Sequence, residues 1–188
     1  MTLTKEAGLL GLDNVKIFEV TTDTSQTLTY GSAVDVPSMQ NINLAPNYIQ
    51  KPLMQDEEID GYYSKLQSVS WSFSNVKVSL DALTILEGGT VTTTGSTPNQ
   101  KHTFTLSDTS EPKYFKLEGK INYSPDTIGD FHLVLYKCKA LSVHVEYKAQ
   151  NYAIISANGI AIPTINSSVL GSKKVRDYVI NETAVAIS

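Results

Sequence analysis

The sequence predicts a mainly β protein, a β-sandwich or small barrel with one short α-helix, from three observations. Along most of the chain, β-branched and aromatic residues alternate with Ser, Thr, Lys and Glu, which is the two-residue period of half-buried strands. About nine such segments can be counted, a number typical of sandwiches and barrels. The 188 residues are 41% hydrophobic, enough for the core of one domain that spans residues 1–188.

The predicted strands differ in how clearly their faces can be assigned. Val69, Trp71 and Phe73 alternate with serines, so we expect these three side chains to point into the core. The apolar phase then shifts at Asn75, which suggests a β-bulge. The predicted strands cover residues 15–20, two short pieces within 27–36, 69–78, 115–123, 131–138, 141–148, 152–157, 159–163 and 174–180.

One helix, at about residues 79–88, interrupts the β pattern. Ser79 can accept a hydrogen bond from the free amides of the first turn, and Asp81 suits the positive end of the helix dipole. Gly88 can adopt the left-handed conformation that ends a helix. A helix of about two turns is marginal alone and must pack on a neighbour. Its predicted packing face consists of Leu80, Leu83 and Leu86.

A long stretch at about residues 38–65 shows no sustained period and is predicted to be a loop or arm. It contains Pro46, Pro52 and a cluster of acids, yet it carries about ten apolar residues, which disordered linkers lack. Structureless connections longer than about 15 residues are uncommon within compact domains unless they are functional or disordered. We therefore expect an arm that buries its apolar side chains outside its own domain. The alternative is a pair of short strands packed on the same core.

The composition argues against nucleic-acid binding and favours a surface that is covered by other proteins. The net charge is −4, and Arg176 is the one arginine among the 15 basic residues. Duplex binders rely on clustered Lys and Arg, which this chain lacks. Charged residues make up only 18% of the chain, while 38 residues are Ser or Thr. Interface cores are likewise depleted in Lys, Glu and Asp.

Neither catalysis nor a bound metal or cofactor is expected from the sequence. His102, His132 and His144 fit no ligand spacing, and we interpret His132 and His144 as solvated side chains on sheet faces. No glycine-rich phosphate loop and no nucleophile elbow occurs. Cys138 lies in a strand pattern and is expected to be a small, half-buried side chain rather than a nucleophile. No segment reaches transmembrane length, so we expect a soluble protein made in a reducing cytoplasm.

Several features, taken in their order along the chain, resemble the major tail tube proteins of long-tailed, siphovirus-type bacteriophages, which are related in plan to type VI secretion tube proteins. The resemblance covers nearly the whole chain and is a pattern of elements rather than one diagnostic motif. It rests on residues 8–18, Tyr30-Gly31, the acidic residues 56–60, Val69 to Phe73, the helix at 80–89, Tyr136 to Lys139, and Asn158 to Pro163.

The resemblance implies a single tail-tube domain that forms hexameric rings, stacked into a conduit for DNA ejection. The implied partners are further copies of the chain and the tape measure, tail-terminator and tail-tip proteins. Double-stranded DNA would be met only in transit. The implied location is the virion tail, assembled in the host cytoplasm, with no membrane contact. Ring stacking would use the arm, through Tyr48, Leu53, Met54, Asp56, Glu57, Glu58, Asp60 and Tyr62.

Two other functions remain open at the level of sequence. Ten tyrosines and one tryptophan could form a sugar-stacking platform on a carbohydrate-binding or receptor-binding β-sandwich. The phase of Trp71 argues against this, because it points that ring into the core. A capsid decoration protein of similar composition is the other alternative.

Overall fold

The computed structural model describes residues 11, 14–55, 58–122, 129–147 and 149–187. This part of the chain contains ten strands and one helix, so the predicted mainly β class is confirmed. The elements are β1 (Asn14–Asp23), β2 (Leu28–Asp35), β3 (Met39–Gln55), β4 (Glu58–Asn75), α1 (Leu80–Leu86), β5 (Thr90–Thr94), β6 (Lys101–Thr105), β7 (Tyr114–Asn122), β8 (Asp130–Glu146), β9 (Ile154–Ala161) and β10 (Arg176–Asn181).

Eight strands form one antiparallel sheet in the order β2-β1-β7-β8-β9-β4-β3, and β10 also pairs with β8. Strand β8 divides this sheet into two halves. Its first part, residues 130–135, lies between β7 and β10, and its last part pairs with β9. One half therefore contains β2, β1, β7 and β10, and the other contains β9, β4 and β3. Strands β5 and β6 form a separate hairpin.

The two halves of the sheet fold over to face one another. Trp71 on β4 and Phe115 on β7 are three strands apart, so a flat sheet would separate them by about 14 Å. Their ring centroids are only 5.6 Å apart, in an edge-to-face contact. Phe73 stacks on the Trp71 ring, with a centroid distance of 5.6 Å. Gly159 of β9 lies beneath the Trp71 ring, where a Cβ would overlap it. The core of the sandwich therefore lies between the two halves.

Helix α1 closes this core. The Ser79 hydroxyl accepts a hydrogen bond from the Ala82 amide at 3.3 Å, as its predicted N-cap role requires. The chain leaves the helix through Gly88, which has a φ of +77° and lies against the backbone of Glu111. The packing face is broader than predicted, because Ala82 and Ile85 are buried beside Leu83 and Leu86, while Leu80 is half-buried.

The prediction of an irregular loop at 38–65 is wrong. Strands β3 and β4 pair with one another along almost their whole length and form a long hairpin. Pro46 and Pro52 are compatible with β3 because it is an edge strand, where a missing amide donor is tolerated. Two register shifts add extra residues to β4, at Gln67 and Asp60. Each extra residue interrupts the alternation of side chains between the two faces, so the sequence shows no sustained period of two.

Other boundaries also differ from the prediction. The bulge expected at Asn75 lies on the partner strand at Gln40, and Asn75 itself ends β4. Strand β8 is continuous where two strands were predicted, because Leu141 is an extra residue that shifts the phase. Residues 28–35 likewise form one strand, β2, and β9 is one strand rather than two. Tyr123 and Lys148, predicted strand ends, lie outside the described residues.

Candidate functional site

The β3–β4 hairpin extends well beyond the rest of the sheet. Strand β4 pairs with β9 only from Val69 onward, opposite Pro46 on β3. Residues 48–55 and 58–66 pair with each other, and the described residues give them no other strand partner. We call this part of the hairpin the ribbon. At about 3.3 Å per residue it is roughly 25–30 Å long.

The ribbon exposes large apolar side chains. Tyr62 is 67% exposed and Tyr63 is 59% exposed, whereas Trp71 on the same strand is 2% exposed. The predicted arm residues Tyr48, Leu53 and Met54 are also exposed, together with Ile49 and Ile59. Glu58 and Asp60 are exposed, and Asp56 and Glu57 lie outside the described residues.

One side of the ribbon continues the face that forms the core of the domain. Along β3, the core face carries Ile42 and Leu44 opposite Phe73 and Trp71. Cα partners share a face of the sheet, and the two bulges on β4 preserve this assignment along the ribbon. The core-side face of the ribbon therefore consists of Tyr48, Gln50, Pro52, Met54, Ile59, Tyr62, Ser64 and Leu66.

This core-side face contains no charged residue. Leu66, nearest the domain, still packs against the core, but the residues beyond it are exposed. The opposite side of the ribbon is different, because it carries Lys51 and Lys65 next to Ile49 and Tyr63. The two sides of one hairpin therefore offer one uncharged, largely apolar surface and one mixed surface that carries two lysines and, near the tip, Glu58.

A second distinctive surface covers the outer side of the half-sheet β8-β9-β4-β3. Four serines of β4 occupy every second position from residue 68 to 74; asparagines lie opposite three of them on β3, and Ala45 lies opposite Ser70. One row crosses all four strands as Asn43, Ser72, Asn158 and Ser142. We call this surface the serine–asparagine face; its members are Asn41, Asn43, Asn47, Ser68, Ser70, Ser72, Ser74, Ser142, Ser156 and Asn158.

Sequence reasoning missed a buried ionic chain on the outer side of β7 and β8. Lys116 and Glu118 alternate with the apolar residues of β7, a pattern typical of side chains that face solvent, but both are buried and joined by an ion pair of 3.1 Å. His132 lies between two carboxylates, with Nδ1 at 2.9 Å from Glu118 Oε1 and Nε2 at 3.3 Å from Asp130 Oδ2. The interpretation of His132 as a solvated residue is therefore wrong. The alternation of Lys116, Glu118 and Lys120 was visible in the sequence, but nothing there indicated that this side is covered.

Asp130 lies at the end of that chain and is fully buried. It accepts hydrogen bonds from Lys120 at 2.9 Å, from the Asn181 amide group at 2.7 Å and from the backbone amide of Val185 at 2.7 Å. Burial alone would raise the pKa of Asp130, but these donors more than offset it and hold that pKa well below its usual range. The carboxylate thereby ties β7, β8, β10 and the segment after β10 together.

The described residues contain no cluster of three or more His, Cys, Asp or Glu arranged to hold a metal ion. Cys138 is fully buried, not half-buried as predicted, and burial raises the pKa of its thiol. Among the described residues, no helix is long and apolar enough to cross a membrane.

The one tryptophan of the chain cannot belong to a sugar-stacking platform. Trp71 is buried, as its phase predicted. A shallow cavity of about 290 Å³ does open beside Tyr152, but that is the one aromatic ring lining it. Its lining consists of Gln40, Val76, Glu146, Asn151, Tyr152 and Ile154.

Comparison with known proteins gives a distant likeness among solved structures. No family model matches the chain, and no curated protein matches it. Among solved structures, the chain is similar to the SPP1 tail tube, described as a hybrid structure from solid-state NMR and cryo EM. The sequences are 11% identical, the alignment covers 92% of this chain and 78% of that one, and the TM-score is 0.46. A likeness this distant does not by itself show a shared fold or function.

Proposed function

We propose that this protein is a structural subunit of a phage tail tube, which assembles into hexameric rings that stack into a conduit for DNA ejection. The observation that carries the proposal is the uncharged, apolar core-side face of the ribbon. Large exposed apolar surfaces mark sites of protein–protein contact. The ribbon therefore needs a partner, and we take that partner to be the next copy of the same chain.

The ribbon suits a contact between rings. A two-stranded hairpin has little stability on its own in water, so docking on another subunit would stabilise it. Its length of roughly 25–30 Å is sufficient to reach over a neighbouring subunit. A contact between unlike surfaces generates a filament when its repetition does not close into a ring. We accordingly assign ring stacking to Tyr48, Met54 and Tyr62, and also to Leu53, Asp56, Glu57, Glu58 and Asp60.

The edges of the sheet suit contacts within a ring. Strands β2 and β3 lie at the two ends of the sheet, and β10 pairs on one side only, with β8. Unpaired strand edges are prone to pair with another chain, and pairing around a closed ring removes them. The remaining implied partners, the tape measure, tail-terminator and tail-tip proteins, would meet the two ends of such a tube. This function is structural and requires no catalysis.

The proposal is tested by a matched pair of ribbon variants. Tyr62 and Tyr63 are adjacent and similarly exposed, but only Tyr62 lies on the core-side face. Tyr62→Glu should abolish or strongly reduce tube formation, because it buries an unpaired charge at the ring junction. Tyr63→Glu should assemble much more like the wild type. Negative-stain microscopy and light scattering of the concentrated protein, with and without a tail-tip template, measure the result.

Two outcomes would contradict the proposal. A wild-type protein that stays monomeric at high concentration, even with the tail-tip template, would exclude self-assembly. Assembly of Tyr62→Glu to the same extent as the wild type would show that the core-side face of the ribbon makes no subunit contact. Circular dichroism of each variant confirms that the monomer remains folded.

A further inference from the structure

We infer that the serine–asparagine face lines the channel of the proposed tube and is the surface that passing DNA meets. This inference rests on the proposed function, which leaves open which side of the domain faces inward. It assigns that side to the half-sheet β8-β9-β4-β3, with the row Asn43, Ser72, Asn158 and Ser142 at its centre.

The side chains of this face bond to one another across strands. The Asn47 amide group lies 2.8 Å from the Ser70 hydroxyl and 3.2 Å from the Ser68 hydroxyl, to which it donates hydrogen bonds. The Asn158 amide group donates to the Ser142 hydroxyl at 2.8 Å. Hydroxyl and amide groups have further donors and acceptors beyond these bonds, and water can satisfy them. The face is therefore well suited to remain hydrated.

The same composition is poorly suited to a buried contact between subunits. Interface cores are enriched in aromatic residues, Met and Arg, and they are depleted in Ser. Each hydroxyl or amide buried without a partner would cost free energy. The core-side face of the ribbon has the opposite composition, with Tyr48, Met54 and Tyr62. The domain thus separates a surface suited to protein contact from one suited to water.

The face also lacks the groups that hold nucleic acid. Free Lys and Arg bind phosphates by releasing counterions, and exposed aromatic rings stack on bases. The three rows of cross-strand neighbours that start at Asn41, Asn43 and Ala45 on β3 contain no Phe, Tyr or Trp. Their one lysine, Lys139, is paired with Glu111 at 2.7 Å, and the remaining titratable side chain is His144. A polyanion could therefore slide along this surface without being retained.

The lining ends where the ribbon begins. Beyond Asn47, the same side of the hairpin carries Lys51 and Lys65, which would attract phosphate. These lysines lie on the part of the hairpin that we assign to ring stacking, outside the inferred lining.

The test is cysteine labelling with reagents of two sizes. The native thiol, Cys138, is fully buried and leaves a low background. Asn43→Cys places a thiol on an exposed position of the central row. We label the monomer and the assembled tube with N-ethylmaleimide and with a maleimide on a polymer too large to enter a tube. Asn158→Cys repeats the measurement on β9, should the first variant fail to fold or assemble.

The expected result is that assembly abolishes labelling by the large reagent and leaves labelling by the small one. If the large reagent still labels the tube, the face lies outside, and the inference fails while the proposed function stands. If assembly blocks both reagents, the face is a subunit contact, and the inference fails in the same way. If the wild-type protein forms no tube with a tail-tip template, the proposed function fails and this inference fails with it.

Discussion

The two ends of the β3–β4 hairpin have the same secondary structure and opposite surroundings. At its base, residues 39–47 and 68–75, Trp71 and Phe73 are almost fully buried beneath the opposite half of the sheet. On the ribbon, Tyr62 occupies the same side of β4 but is two-thirds exposed. The pairing of the strands continues across this boundary. What changes is that β9 stops pairing with β4 at Val69.

This difference shows that an apolar face alone does not define a core. The base is stabilised by the domain itself, whereas the ribbon presents a similar face that no described residue covers. The apolar side chains of the base should therefore govern the stability of the monomer, and those of the ribbon should govern assembly. Each of the following predictions separates the two ends.

The largest expected effect comes from the buried tryptophan. Trp71→Ala should lower the free energy of unfolding of the monomer by about 3–5 kcal/mol, because it leaves a cavity between the two halves of the sheet. Tyr62→Ala, on the ribbon, should change it by about 0.5 kcal/mol or less. Urea unfolding of both variants measures the difference. A comparable loss of stability in Tyr62→Ala would mean that the ribbon packs on its own domain.

A second pair of variants compares carboxylates. Asp130→Asn should destabilise the monomer by about 3 kcal/mol, since it removes the charge that compensates Lys120 and weakens the bonds to Asn181 and Val185. Glu58→Gln, at the exposed tip of the ribbon, should have an effect within about 0.5 kcal/mol. The same urea titration distinguishes them. Equal and small effects would show that Asp130 does not hold the sheet together.

Acid should destabilise the domain rather than the ribbon. Burial raises the pKa values of Asp23, Asp130 and Asp177, but hydrogen bonds from backbone amides, lysines and other side chains more than offset it and leave all three pKa values lowered. Their stabilisation is therefore fully present above pH of about 4, where these carboxyls are ionised even in the unfolded chain. It is lost as the pH falls through the lowered pKa values of the folded state.

The measurement is the urea midpoint of the monomer between pH 7 and pH 2. We expect a fall below pH of about 4 that is the same in the wild type and in Tyr62→Ala, and a shallower fall in Asp130→Asn. An unchanged midpoint down to pH 2 would contradict the role of these three carboxylates.

Hydrogen exchange compares the two ends of the hairpin directly, and here we expect the smallest difference in stability. Amides of residues 48–55 and 58–66 should exchange faster than those of residues 68–75 in the monomer, because no neighbouring strand or core covers the ribbon. In the assembled tube the ribbon should become protected. Equal protection of the ribbon in both states would show that it makes no contact between subunits.

The local pattern of the sequence determined much of this fold. The alternation of Val69, Trp71 and Phe73 with serines correctly placed one strand face in the core. The helix was also predictable, because Ser79 and Gly88 act within a few residues of their own position. The abundance of apolar residues between 38 and 65 was evident from composition, but the structure divides them: Met39, Ile42 and Leu44 pack on the domain's own core, and those of the ribbon beyond Leu66 are exposed.

Only the tertiary structure decided the features that depend on distant partners. The ribbon's period is set by register with the opposite strand, and the bulges at Asp60 and Gln67 shift that register. The burial of Lys116, Glu118 and His132 depends on what covers the outer side of β7 and β8, which a period of two cannot show. The serine–asparagine face exists only because β8, β9, β4 and β3 are neighbours in space. Alternation assigns a side chain to one of two faces, and the packing of distant segments decides which of those faces is covered.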